Sequence, residues 1–282
     1  MINASILTMK NLIKPSLFLL FVLLSTSVFA FPRNDLKPGG IAIIPVGSIN
    51  KPKPQVFYTK KPVAVIKGKT NWLAITGISL DAKVGTHHVS IQDTDHIKQK
   101  HKSSFKVHHH KYRTQRLTIR NKNKVNPNKK SMQRIMKEMK LKKRLIKTFS
   151  QTTPQLSFIK PVSGRDSGRF GARRIFNKQK RNPHSGMDIA SPSGRSIKAS
   201  SSGKVIYAGN LFFTGNVVYL DHGNGLISLY AHLSKILVKM NQTIKKGQII
   251  GKVGKTGRVT GPHLHWSVYL NGNAVNPALF LH

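Results

Sequence analysis

The run Gly261-Pro262-His263-Leu264-His265-Trp266-Ser267-Val268-Tyr269-Leu270 decides how the second half of this chain is read. Its aromatic and aliphatic tail, from Trp266 onward, is strand-like. On a strand, residues i and i+2 point to the same face. His263 and His265 are therefore expected side by side, an arrangement that suits a metal ligand and a neighbouring catalytic group. Taken alone, the pair could equally be one core hydrogen-bonding histidine beside a surface one.

Two upstream segments strengthen the first reading. His184 and Asp188 stand in Asn182-Pro183-His184-Ser185-Gly186-Met187-Asp188-Ile189-Ala190, where proline and glycine argue against a regular helix and for a turn entering a strand. His232 lies in Tyr230-Ala231-His232-Leu233-Ser234. A neutral imidazole and a carboxylate both suit Zn²⁺, and three protein ligands leave a fourth position for water, as in catalytic zinc sites. Around these residues, 16 of the 22 glycines fall beyond residue 153 and punctuate β-rich runs at 205–208, 217–220, 226–230, 248–253 and 263–270. Asn224-Gly225 and Asn271-Gly272 are hairpin signals. Residues 153–282 are expected to form an antiparallel β domain with long loops.

Composition narrows the chemistry. With no cysteine, a disulfide scaffold, a thiolate zinc finger, a Cys-held iron–sulfur cluster and a Cys nucleophile are all excluded. Any transition metal must be held by histidine and carboxylate. The chain has 48 Lys+Arg against only 8 Asp+Glu, a formal charge of +40, so each acid is informative. Beyond residue 153 the only carboxylates are Asp166, Asp188 and Asp221. If Asp188 binds a metal, no glutamate remains to act as general base. His232 and His263 are then the candidates to orient water, take its proton or hold an oxyanion. Zinc can lower its water's pKa to about 7, which matches a histidine base.

The rest of the chain is organised around that domain, and the whole reads as mostly β. Residues 31–121 carry short apolar runs separated by turn formers, which suggests a small sandwich or barrel. In residues 122–152, Met132, Ile135, Met136 and Met139 recur at helical spacing, and Leu145, Ile146 and Phe149 resume the stripe. This reads as a basic amphipathic helix joining two domains. The stretch 101–150 holds 17 Lys/Arg and a single acid, Glu138, so it could touch nucleic acid or an anionic membrane. The solvated face of a connecting helix is the preferred reading. With aromatics at 7% and no recognised motif, no specific nucleic-acid partner is expected. Residues 1–30 have the order of a signal peptide: Lys10 and Lys14, an apolar run over 17–24, then small residues ending at Ala30. The largely apolar stretch 16–31 falls short of the roughly 20 residues a spanning helix needs. The expectation is cleavage after Ala30, a periplasmic or secreted chain, and no stable membrane span afterwards.

Other conspicuous residues are read as structural. His108-His109-His110 is taken as an exposed face, His222 as a structural hairpin residue, and His87, His88, His96, His101 and His282 as surface. Phe212, Phe213 and Trp266 could line a groove or pack in the core.

In order along the chain, His-x-x-x-Asp, Tyr-x-His-Leu and Gly-Pro-His-Leu-His resemble the motif set of the lysostaphin-type (LytM-like) zinc metallopeptidases, which cut peptide bonds in bacterial peptidoglycan. The similarity covers about 155–281. Arg173-Arg174-Ile175-Phe176-Asn177 resembles the Gram-negative murein DD-endopeptidase branch. Pro38-Gly39-Gly40-Ile41-Ala42 and the β unit after it resemble the extra amino-terminal domain of such enzymes. The resemblance implies zinc held by His184, Asp188 and His265, with His232 and His263 as catalytic histidines. It implies peptidoglycan stem peptides as substrate, whose carboxylates a cationic chain would meet readily at low salt. It further implies that the upstream β unit restrains access to the groove. The alternative is a non-catalytic amidase-activating or wall-binding module. Loss of a motif residue would point there, and none is lost.

Overall fold

The computed structural model describes residues 31–94 and 100–281. The signal peptide expected over 1–30, and the surface positions expected for His96 and His282, lie outside the described residues. No helix among the described residues is long and apolar enough to cross a membrane.

The first strands are β1 (Ile41–Ser48), β2 (Gln55–Tyr58), β3 (Lys61–Pro62), β4 (Ala64–Lys67) and β5 (Asn71–Gly77). Next come β6 (Gly85–Gln92), β7 (Lys100–Val107), β8 (Thr114–Leu117) and the helix α1 (Lys129–Leu145). After the helix run β9 (Arg165–Gly168), β10 (Arg173–Phe176), β11 (Gln179–Arg181), β12 (Met187–Ala190) and β13 (Ser196–Lys198). Long strands follow: β14 (Gly203–Leu211), β15 (Gly215–Gly223) and β16 (Leu226–Ile236). The chain closes with β17 (Thr243–Ile244), β18 (Ile249–Val253), β19 (His263–Leu270) and β20 (Asn273–Val275).

The molecule is mostly β, as expected, and one ten-stranded sheet dominates it. Its main path runs β17-β14-β15-β16-β19-β12-β9, with β13, β18 and β20 attached. Strand β16 opens Leu-Ile-Ser-Leu-Tyr-Ala-His-Leu, and these first eight positions are all buried, because both faces of the sheet are covered there. On one face, Leu226 and Tyr230 join Leu264, Trp266, Val268 and Leu270 in the largest apolar cluster. On the other, Ile227, Leu229 and Ala231 pack with Tyr219, Tyr269 and Leu145. Fully burying each such side chain contributes roughly 1.5–3 kcal/mol, so this two-faced packing makes the central strands a stiff base. Trp266 lies wholly within the first cluster, which settles it as a core residue.

The amino-terminal strands form two smaller sheets, ordered β1-β5-β4 and β3-β2-β6-β7, that share a second core. They do not stand apart from the large sheet. Ile41, Ala64, Ile66 and Ile75 belong to its main cluster. Asn271 clasps Gly77, accepting from its amide at 2.7 Å and donating to its carbonyl at 3.2 Å. Strand β8 pairs in parallel with β10 rather than with its upstream neighbours, aligning Thr114–Leu117 with Arg173–Phe176. Just before β8, Tyr112 seats over Gly171, where φ is +76° and any Cβ would collide with the tyrosine ring.

The connector does form a helix, with Asn128 capping its start by accepting from Ser131 N at 2.9 Å. Its buried face differs from the methionine stripe. Met132, Met136 and Met139 are exposed, whereas Ile135 and Leu145 are buried. Glu138 accepts from Phe212 N at 2.7 Å and from Arg134 Nε at 2.6 Å, while Arg134 also donates to Asn210. These polar contacts rotate the helix so that Leu141, Leu145 and Ile146 cover the large sheet. His87 is likewise less superficial than expected: its Nδ1 meets the Tyr58 hydroxyl at 2.7 Å and its Nε2 the Lys83 carbonyl at 2.8 Å.

Candidate active site

Strand alternation places His263, His265, Ser267 and Tyr269 on the sheet face that α1 partly covers, with Leu264, Trp266 and Val268 facing the main core. Directly opposite His265 stand Asp188 on β12 and Ala231 on β16. Opposed residues of an antiparallel pair share a face, so register alone brings the Asp188 carboxylate to the His265 ring. Gly168 on β9 is the partner of Asp188, and a Cβ there would run into its carboxylate. His184 enters from the preceding loop, tied by its amide to the Ala172 carbonyl at 2.9 Å.

The three groups converge closely. Asp188 Oδ1 lies 2.8 Å from His265 Nδ1 and 3.0 Å from His184 Nε2, and those two nitrogens are 2.9 Å apart. Their far nitrogens are already engaged. His184 Nδ1–H donates to the Arg169 carbonyl at 2.9 Å, and His265 Nε2 meets the buried Ser267 hydroxyl at 2.9 Å. With Ser267 as acceptor, both neutral imidazoles turn lone pairs toward Asp188. Three acceptors then face one point that has no donor of its own, a demand that a cation meets. All three residues are buried, and their potential ligand atoms lie within 4.8 Å of one another. The set is two nitrogens and one carboxylate oxygen, which fits Zn²⁺.

Arg174 of β10 completes the surround by donating from Nη2 to Asp188 Oδ2 at 2.8 Å. Asp188 therefore offers Oδ1 to the cluster and Oδ2 to the arginine. Burial by itself raises the Asp188 pKa, but when their inward nitrogens carry protons instead, His184 and His265 hydrogen-bond to Asp188 and hold its carboxyl well below the usual carboxylate value. Burial pushes His265 down to about 4, against the upward pull of Asp188.

His232 and His263 stand over this floor. Their ring centroids are 4.9 Å apart, and His263 Nε2 is 3.8 Å from Asp188 Oδ1. His232 Nδ1–H donates to the Thr256 carbonyl at 2.8 Å, and His263 Nδ1–H to the Gly261 carbonyl at 2.9 Å. Each neutral ring thus keeps its lone pair on Nε2. His232 also has a left-handed backbone, with φ of 67°. The segment between Tyr230 and Leu233 has one more residue than the facing segment of β15, a bulge that turns the His232 side chain out of the strand's alternation. Burial, followed by the neighbouring His263 and His265, holds His232 well below the ordinary histidine pKa.

All five residues singled out from the sequence meet in this one place. His222 does not. It is buried beneath the sheet, bonded to Ser202 O and Ser228 Oγ at 2.7 Å each, and burial lowers its pKa to about 4. His108, His109 and His110 are exposed, as expected. Sequence reading missed the roles of Arg174, Ser267, Thr256 and Gly261. The last two act through carbonyls, which carry no side-chain signal. Among the described residues, the hydrogen bonds of the five side chains all go to residues 169–267, so none ties the site to the upstream β unit.

The profile of peptidase family M23 matches residues 182–277, and that of the M23 amino-terminal domain matches residues 34–110. A stretch of 113 residues is 46% identical to the peptidoglycan DD-endopeptidase ShyA of Vibrio cholerae, covering 40% of this chain and 26% of that protein. Another of 94 residues is 44% identical to the DD-carboxypeptidase/endopeptidase Mpg of Neisseria meningitidis, covering 33% of this chain and 22% of that one. The match thus spans about a quarter of the length of these curated relatives. A crystal structure of an M23 peptidase candidate from Pseudomonas aeruginosa superposes over nearly the full fold. The TM-score is 0.73 at 37% identity, with 88% of this chain and 95% of that one covered.

Proposed function

The chain belongs to peptidase family M23, and from that premise we propose that it is an exported, zinc-dependent endopeptidase that hydrolyses peptide cross-links of bacterial peptidoglycan. The observation that carries this reading is the pairing of two histidine sets. One set, with Asp188, turns its lone pairs inward on a shared point, and the other keeps Nε2 free above it. His184, Asp188 and His265 would hold the zinc ion, which supplies Lewis acidity and a more acidic water at neutral pH.

The protein's own groups account for the proton traffic. His232 is neutral at pH 7, because burial disfavours its charged form, so its Nε2 can accept a proton from water. His263 has the same tautomer and lies on the same side; once its Nε2 has taken up a proton from solvent, that N–H can stabilise the oxyanion or be given to the leaving amine. The carbonyls of Thr256 and Gly261 hold both rings in these orientations, and the Thr256 carbonyl favours the His232 imidazolium when it forms. The catalytic residues fall within the proposed 153–282 domain, with 31–121 and the helical 122–152 segment as its accessories. A periplasmic or secreted location follows from the substrate. Stem peptides are the partner, with no role for specific nucleic-acid binding or a membrane span in the mature chain.

The test is digestion of purified peptidoglycan by the mature protein, with products identified by mass. Cleaved cross-links that vanish with chelator and return with zinc are expected. Intact cross-links after treatment with the zinc-loaded protein would overturn the reading.

A further inference from the structure

Arg258 has the properties of an anion receptor, and among the described residues no carboxylate pairs with it. Its guanidinium carbon lies 4.8 Å from the centre of the Phe176 ring and 4.3 Å from that of Phe213, so two aromatic faces hold it in place. Its side chain makes one long hydrogen bond, from Nη1 to the Lys124 carbonyl at 3.5 Å. Further positive charge gathers around it. Arg174 shares the Phe176 ring at 5.8 Å, and Arg181 faces Arg174 across the β10–β11 pair. The Arg174 Nε is buried and has no hydrogen-bond partner. Burial, with Arg174 and Arg181 near, brings the Arg258 pKa down to about 10. A partly desolvated guanidinium among like charges is costly unless a carboxylate or phosphate joins it.

Its position says which anion. Arg258 sits in the loop whose Thr256 carbonyl orients His232 and whose Gly261 carbonyl orients His263. Its own amide donates to Phe213 O at 2.8 Å, which anchors the middle of that loop. Arg174, which shares the Phe176 ring with Arg258, donates to Asp188, so an anion gripped by Arg258 would lie one arginine away from the cluster, which favours an anion carried by the molecule being cut.

We propose that Arg258 is a specificity-determining carboxylate receptor, which takes a free carboxylate of the stem peptide beside the scissile bond. This rests on the peptidoglycan reading above. A guanidinium meets a carboxylate with two parallel hydrogen bonds, a geometry that a neutral carboxamide cannot match. The site thus selects free-acid stems over amidated ones.

The experiment uses the full mature chain, zinc-loaded, with two matched probe pairs. Binding is titrated with acetyl-D-alanyl-D-alanine and its carboxamide, and hydrolysis is followed on soluble cross-linked muropeptides in acid and amidated form. The parent should favour the acid by about tenfold to a hundredfold. Arg258→Met, which keeps the stacked stem but drops the charge, should bring the ratio close to one with zinc content unchanged. Arg258→Lys should restore part of the preference and guards against a folding artefact. An Arg258→Met ratio equal to the parent's, or a parent without preference, would overturn the proposal. A parent that binds the acid preferentially through Arg258 but cleaves neither muropeptide would support the receptor and sink the endopeptidase reading. Cleavage of both forms at a ratio indifferent to Arg258→Met would do the reverse.

Discussion

The floor and the rim of the site hold their histidines by different means. On the floor, His265 and Asp188 are set opposite each other by the register of two paired strands, with Trp266 and Ile189 locked in the core behind them. On the rim, regular pairing lapses. His232 occupies a bulge, His263 is the first residue of its strand, and two loop carbonyls aim their rings. The contrast matches the two tasks proposed for them. Metal ligands must keep their separations to about ±0.2 Å, which a buried sheet can enforce. Proton-transfer groups must follow a substrate whose shape changes, and their hydrogen bonds tighten only as the reaction proceeds. Floor and rim are therefore different solutions, one set by strand register and the other by loop carbonyls, built from the same side chain.

Breaking the floor should have the largest effect. His265→Ala is expected to lose the metal and to reduce hydrolysis to background, with zinc content read by elemental analysis of the purified variant. Stoichiometric zinc in that variant would mean that His265 is not a ligand. Breaking the rim should separate chemistry from metal. His232→Ala and His263→Ala are each expected to retain zinc while kcat falls roughly 10²–10⁴-fold. If either loses zinc as His265→Ala does, the division between floor and rim collapses. The smallest effect should come from beneath the floor. Ser267→Ala removes the polar partner of His265 Nε2 and should weaken zinc binding about tenfold, the low end for an outer partner of a ligand. Competition with a chromogenic chelator measures this, and unchanged affinity would show that strand pairing alone orients the ring.

Much of the site was legible in the residue order. The alternation of His263 and His265 is a local property of any strand, and the turn formers around His184 correctly argued against a helix there. The connector was harder. Its methionine stripe has the right period for a packed face, but Glu138 and Arg134 reach Phe212 and Asn210, and these contacts turn the stripe to solvent. Strand β8 was grouped with its upstream neighbours because apolar runs reveal strands and not their partners, whereas its ladder lies on β10. Arg174 appeared only as part of a family motif. Its ion pair with Asp188 spans 14 positions and depends on β10 and β12 lying close enough to meet.

What the order of residues determined by itself is the chemistry available. The absence of cysteine and the scarcity of acids confine a metal in the second half of the chain to histidine and three carboxylates, Asp166, Asp188 and Asp221. The period of two along β19 pairs His263 with His265, and it is the resemblance of the motif set that points to Asp188. The confinement and the pairing follow from composition and from backbone geometry within a few residues, which no distant contact alters. Only the tertiary structure decided which nitrogen of each ring faces inward, that Arg174 claims the second oxygen of Asp188, and that Arg258 rests against two aromatic rings with no ion pair among the described residues. Those outcomes hang on contacts between residues far apart in the chain, 81 positions for His184 and His265. Strand register and loop path set such contacts, and both are fixed by the packing of the whole core.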